Sequence, residues 1–367
     1  MADIISIFRE VRDPREPNAR HDLADVLFVS LAAVLCGAKT CVDMSEFAED
    51  RLEELREIVD LPHGAPSHDT FSRVFRLLDP VELARAFEAC MAAIRRELGL
   101  SGPKGVVAID AKSLRRGYDK GRAFMPPLMV GVFDSQTRLS IAQARAADGS
   151  EVKGTLQLLK GLVLKGCTVT ADALHCHAAM AQAVRDAKAH YALALKGNQS
   201  ALLADAEAAF AEAGGDLPQF ETRESRHGRQ ERRAAAILPA SRLARDPGFK
   251  DLAAIGRIQA ERTAADGKTA TAVRYVVLSK ALDPRKLMDV VRAHWSIENQ
   301  LHWTLDVVFD EDDARTRKNY GPENLAVVRR LALNILRCHP LKRSINGKMQ
   351  RAARRKDFLI ELFAHMR

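Results

Sequence analysis

GVVAID at residues 105–110 and TVTAD at residues 168–172 are two short apolar runs, each closed by an aspartate. A continuous run of β-branched and small apolar residues fits a strand covered on both faces, as in the middle of a parallel sheet. Ligand sites in such sheets form at the carboxyl ends of the strands, where Asp110 and Asp172 would lie. A carboxylate left there buried and unpaired is costly, so it calls for a cation or another partner. The ordinary alternative is that strand ends meet turns, in which aspartate is common. For either residue alone that alternative prevails. Two such strand ends in one basic chain favour a site.

Working outward, GPKG at 102–105 marks a change of texture. Residues 1–101 read as helical. LFVSLAAVLCGA at 27–38 is a buried helix for Asp22 to cap, and it is far shorter than the ~20 residues a membrane span needs. In GAPSHDTFSRVFRLLDP, a helix capped by Ser67 turns Phe71, Val74, Phe75 and Leu78 inward. His68, Ser72, Arg73 and Arg76 are left outside, either as a solvated face or as a helix for a DNA groove.

After GVVAID, the segments PPLMVGVFD and RLSIAQARAA flank a turn at Ser135-Gln136-Thr137. CTVTADAL, HAAMAQAVRDAKA, YALALKG and SALLADAEAAFAEA then alternate strand with helix. From about 215 to 283 the pattern becomes polar and β-rich, with an Asp266-Gly267 hairpin turn. The expected architecture is an α/β mixed-sheet unit over 102–340 with a β-rich insertion. A helical N-terminal unit precedes it, and a basic C-terminal helix over 341–367 follows.

PRKLMDVVRAHWSIENQLHWTLDVVF at 284–309 reads as one long helix opened by Pro284. His294, Glu298 and His302 then form one drifting stripe, which invites a zinc site. Eight residues span about 12 Å at ~1.5 Å per residue, so both histidines cannot readily share one ion with Glu298. Trp295 and Trp303 read as core anchors of this helix. Asp306 is a reserve for Glu298, because a dense acidic cluster follows at 310–313.

The chain has 367 residues and a net charge of +8, which suits a polyanionic partner. Six scattered cysteines without a CxxC pair speak against a disulfide framework or a thiolate zinc knuckle and fit a reducing cytosol. No GxxxxGK[ST] pattern is present, which speaks against ATP hydrolysis. Lys112, Arg115 and Arg116 follow Asp110 directly and are candidate phosphate contacts. So are Lys196, Asn198 and Gln199 after a strand, and Arg229, Arg232 and Arg233 in HGRQERR. A basic run from Lys342 to Lys356 adds salt-sensitive affinity for DNA.

Several long motifs occur together: DPREPNARHDLADVLFVSLAAVLCGAKT, LPHGAPSHDTFSRVFRLLD, VVAIDAKSLRRG, VTADALHCH, YALALKGNQ, HGRQERR and RAHWSIENQLHWTLDVVFDEDDARTRKNYGPENLAVVRRLALNILR. In order and spacing the chain resembles the H-repeat-associated insertion-sequence transposases, bacterial DDE enzymes on an RNase H-like fold. The resemblance implies Asp110, Asp172 and Glu298 as the triad, holding two Mg²⁺ or Mn²⁺ ions. It also implies an inserted β-rich subdomain in the 126-residue gap before Glu298. Double-stranded DNA is the implied partner, through element ends and target, with a homodimer on DNA in a bacterial cytoplasm at the nucleoid. A Tyr, an Arg and a Lys that often accompany the glutamate in related transposases are replaced here by Val291, His294 and Leu305. Their DNA contacts would pass to His294, Arg292 or His302. A nuclease without strand transfer and a catalytically silent DNA-binding relic are the competing functions.

Overall fold

Asp22 accepts hydrogen bonds from the Ala24 and Asp25 amides and opens α2 (Leu23–Leu35), every residue of which is buried. The computed structural model describes residues 2–100, 102–117, 126–146, 149–214, 217–226 and 229–364. Around α2 pack α1 (Ala2–Arg9), α3 (Cys41–Asp50), α4 (Leu52–Arg56), α5 (His68–Leu77) and α6 (Pro80–Glu97). Ser67 caps α5 through the Thr70 amide, and Phe71, Val74 and Phe75 face inward as their spacing predicts.

Among the described residues nine strands form one sheet: β1 (Val106–Ser113), β2 (Leu128–Asp134), β3 (Leu139–Arg145), β4 (Thr168–Ala171), β5 (His190–Leu195), β6 (Gln219–Arg226), β7 (Arg229–Pro239), β8 (Ala254–Thr263) and β9 (Thr269–Leu278). Their order is β3-β2-β1-β4-β5-β9-β8-β7-β6. β1, β4 and β5 run parallel, whereas β2 lies antiparallel to both of its neighbours, β1 and β3. This is the RNase H-like mixed sheet. Within the polar segment β6 pairs antiparallel with β7, and β8 with β9. Because β9 pairs with β5, the polar β-rich segment prolongs the sheet rather than standing apart from it.

One face of the sheet is covered by α7 (Glu151–Gly161), α8 (Ala178–Asp186) and α9 (Ser200–Ala213), which close a core with Val107 and Ile109 of β1. The other face packs Ala108, Phe133 and Leu139 against the N-terminal helices and the C-terminal ones. At its centre runs α12 (Gly321–Cys338), buried from Gly321 to Leu336. Asn324 Nδ2 donates to the Phe75 and Leu78 carbonyls at 2.9 and 2.8 Å, tying α12 to the end of α5. Asn334 accepts from the Ser140 amide at 3.0 Å and donates to its carbonyl at 2.7 Å, satisfying β3 where its register with β2 slips.

The C-terminus differs from the expected single helix. It forms α13 (Ile345–Arg354) and α14 (Lys356–Ala364), broken where Arg355 takes an extended conformation. Among the described residues, no helix is long and apolar enough to cross a membrane.

Candidate active site

The parallel register of β1 and β4 pairs Ile109 with Ala171, so the two residues that follow, Asp110 and Asp172, emerge side by side. Side chains alternate along a strand, and Asp110 therefore shares the face of Ala108, toward Ile297 and Leu301. The segment carrying Glu298 approaches from that side.

That segment is not the continuous α-helix its apolar spacing predicts. α10 (Pro284–His294) ends at Trp295, residues Ile297–His302 form a π-helical turn, and α11 (Trp303–Val307) follows. Such turns release backbone carbonyls from the regular ladder. Here the Gln300 carbonyl accepts from Thr304 Oγ1 at 2.5 Å and from the half-buried Arg337 guanidinium of α12. Arg337 also donates to the Arg138 carbonyl at 2.6 Å, so one side chain locks the π turn to the sheet edge.

The two histidines of the stripe separate, one to each aspartate. His294 Nε2 stands 3.5 Å from Asp172 Oδ1, and its Nδ1 lies 3.1 Å from Thr170 Oγ1. His302 Nδ1 stands 3.5 Å from Asp110 Oδ2 and 3.6 Å from Glu298 Oε2. Burial pushes the Asp110 carboxyl up to about 8, and the Glu298 and Asp172 carboxylates push it the same way. The neighbouring His302 ring lowers Glu298, and His294 lowers Asp172. Three carboxylates thus act on one another at neighbouring positions, which is the environment a divalent cation relieves.

The flanking candidates fall into different places. Lys112 is buried, with Nζ 2.6 Å from Asp306 and 2.8 Å from Asp312. It is an internal strut rather than the free phosphate contact its position suggests, and it occupies Asp306, the reserve for Glu298. Arg115 and Arg116 are exposed and pair with Asp312 and Asp313 at 3.3 and 2.7 Å. Lys196 is exposed at the end of β5, and its charge helps to lower Asp172. Asn198 is exposed as well, and its Nδ2 donates to the Ala173 carbonyl at 2.7 Å and pins the turn after Asp172.

Arg73 is exposed on α5. Arg76 lines a cleft of about 1070 Å³ together with His68, Arg116, Arg315, Arg317 and Lys318. Arg229 begins β7 opposite Arg226, and its side chain lies outside the described residues, as do His227 and Gly228. Arg232 pairs with Glu221 and Glu261, and Arg233 with Glu231, so these two belong to a paired strand face.

Trp295 and Trp303 are not core anchors. They are 42% and 59% exposed, on either side of Glu298 in sequence. Leu287, Met288 and Ile297 take the buried positions instead, and Trp295 lies under the Arg274 guanidinium at 5.0 Å. The sequence reading also missed Glu151 in the first turn of α7. Its carboxylate helps to raise Asp110, and it is held by buried His175 at 2.8 Å. A carboxylate and an imidazole 24 residues apart leave no local signal.

An RNase H-like sheet with acids at its central strand ends fits a nucleic-acid-processing class that includes transposases. Residues 101–335 match the family described as "Transposase DDE domain", and residues 5–91 match "DDE_Tnp_1-associated". The chain belongs to the transposase DDE-domain family, among its H-repeat-associated members. It is 32% identical to "Putative transposase YncI" of Escherichia coli, over 99% of this chain and 94% of that one. It is 30% identical to "H repeat-associated putative transposase YhhI" of the same species, over 95% and 93%. A solved piggyBac transposase synaptic complex with hairpin DNA aligns over 99% of this chain and 78% of that one, with a TM-score of 0.45 and 13% identity.

Proposed function

We propose that the chain cleaves DNA at the ends of a mobile element and joins them to target DNA, using Asp110, Asp172 and Glu298 with two Mg²⁺ or Mn²⁺ ions. The observation that carries this reading is the Ile109–Ala171 pairing, which sets two aspartates side by side beneath the π turn bearing Glu298. The donor set fits: hard carboxylate oxygens from three segments, one of them half-buried, with burial first and then the Glu298 and Asp172 charges pushing its carboxyl up to about 8.

Divalent ions bound there would polarise the scissile phosphate and lower the pKa of an attacking water or DNA 3′-hydroxyl. The protein's own part is placement. β1 and β4 fix the aspartates, Arg337 holds the π turn, and His294 and His302 orient carboxylates that would otherwise repel. No covalent protein nucleophile is needed. In this reading residues 1–101 recognise element ends through α5, residues 102–340 hold the chemistry, and the basic segment 341–367 adds backbone affinity. Double-stranded DNA is the partner, and pairing two ends calls for a homodimer.

The test is end cleavage on DNA flanking the gene, with Mg²⁺ or Mn²⁺, comparing wild type with Asp110→Asn. Metal-dependent nicking by wild type alone, followed by joined products, is the expected result. Nicking without joining leaves a nuclease. Binding without nicking leaves a silent relic.

A further inference from the structure

We infer that His302 is itself a metal ligand, so that one divalent ion is held by Asp110, Glu298 and His302, with Asp172 and His294 on its flank. This rests on the metal-dependent reading above and sharpens it, because the carboxylate triad alone gives the imidazole no such role.

Geometry selects the set. One donor atom from each of Asp110, Glu298 and His302 lies within 4.8 Å of the others, and among the described residues no other His/Cys/Asp/Glu cluster meets that spacing. Asp172, although register-paired beside Asp110, is not part of it. The separations from His302 Nδ1, 3.5 and 3.6 Å, exceed the ~2.9 Å of a settled N–H···O bond. Metal–ligand bonds of ~2.1 Å space adjacent ligands by ~3 Å, so the donors need draw in by only about half an ångström to share one ion. The His302 residue is only 6% exposed, so its ring is held by packing rather than by solvent. His294 differs: its Nδ1 already engages Thr170, and its Nε2 meets Asp172.

One nitrogen among oxygens changes the preferred ion. Imidazole is a poor donor for Mg²⁺ and an acceptable one for Mn²⁺. The site should therefore favour Mn²⁺, and removing the ring should reduce that preference while leaving Mg²⁺ affinity nearly unchanged.

The experiment is pulsed electron paramagnetic resonance on the full chain loaded with Mn²⁺, with and without DNA, together with Mn²⁺ and Mg²⁺ titrations. Wild type and His294→Phe should show an imidazole-nitrogen modulation that shifts when histidine carries the heavier nitrogen isotope. His302→Phe keeps the ring volume and should lose the modulation, with Mn²⁺ affinity weaker by about tenfold or more. His302→Gln offers an amide oxygen and provides the same readout if the Phe variant misfolds. Bound Mn²⁺ without nitrogen modulation in wild type, or with modulation unchanged in both His302 variants, overturns this inference and leaves the carboxylate reading standing. No Mn²⁺ bound by wild type in either state overturns both.

Discussion

His294 stands against Asp172 with Nε2 3.5 Å from Oδ1, and the same ring is braced by Thr170 two residues earlier on the strand. A strand end thus supplies an acid and also the hydroxyl that aims the acid's partner. Asp172 is half-exposed, and His294 keeps its carboxyl below the ordinary range.

Replacing His294 by Ala should therefore leave the fold intact but slow cleavage by about 10- to 100-fold, the cost common for ligand-orienting groups. Thr170→Val should lower the rate in the same direction by less, because it removes only the brace. Initial rates on a pre-nicked and an intact DNA end would check both. Equal rates for His294→Ala and wild type would exclude an orienting role.

Arg337 lies far from Glu298 in sequence, yet it donates to the carbonyl freed by the π turn. Burial lowers its own pKa to about 10, so it stays charged at neutral pH. Arg337→Met keeps the stem that packs near Phe133 and removes the donors. The expected loss is roughly 1.5–3 kcal/mol of local stability, as for hydrogen bonds to a charged group. Amide hydrogen exchange should accelerate over residues 297–302 before it does so in β1 or β4. Uniform acceleration across the sheet would count against a local lock.

Local chemistry made much of this legible in advance. The caps at Asp22 and Ser67, Pro284 in the first turn of α10, and the runs ending at Asp110 and Asp172 all act through neighbours in sequence. What escaped depends on distant partners. Lys112 looks like a free cation until Asp306 and Asp312 arrive from another element. The π turn keeps the apolar spacing of an ordinary helix, so periodicity cannot reveal it. Tryptophan usually buries its large apolar surface, but Trp303 leaves that work to Leu301 and Leu305.

Arg330 and Glu311 form a buried ion pair at 2.9 Å, with the guanidinium also donating to the Ala326 carbonyl. The pair anchors the acidic turn that holds Lys112 and Arg115. Arg330→Met strands a buried carboxylate and should cost about 3–5 kcal/mol, whereas Arg330→Met with Glu311→Leu should recover most of that loss. Denaturant midpoints of the two variants provide the check. Equal midpoints would mean that the pair is not desolvated.

Asp25 in α2 is buried, and burial together with the Asp22 charge raises its carboxyl from 3.8 to about 6. The folded state thus binds this proton more tightly than the unfolded chain. As pH rises from about 4 to about 6 the unfolded state releases the proton first, so stability falls through that window and is level above it. Asp25→Asn should stabilise the protein by at least about 1 kcal/mol at pH 7 and change nothing near pH 3.5. Thermal melts at the two pH values give the sign, and a variant less stable at pH 7 would reverse it.

Trp303 is 59% exposed five residues after Glu298, whereas Arg76 lines the cleft next to α5. The two should fail in different ways. Base stacking on an aromatic ring contributes about 1–3 kcal/mol and depends little on salt. Each phosphate contact instead adds about one unit to the slope of log affinity against log salt. Trp303→Ala should then weaken binding to an end with unpaired bases, with its salt slope unchanged and its melting temperature equal to wild type. Arg76→Ala should reduce the slope by about one on any duplex. A Trp303→Ala protein that melts early, or that binds unpaired and paired ends equally well, would place the ring in packing rather than in DNA recognition.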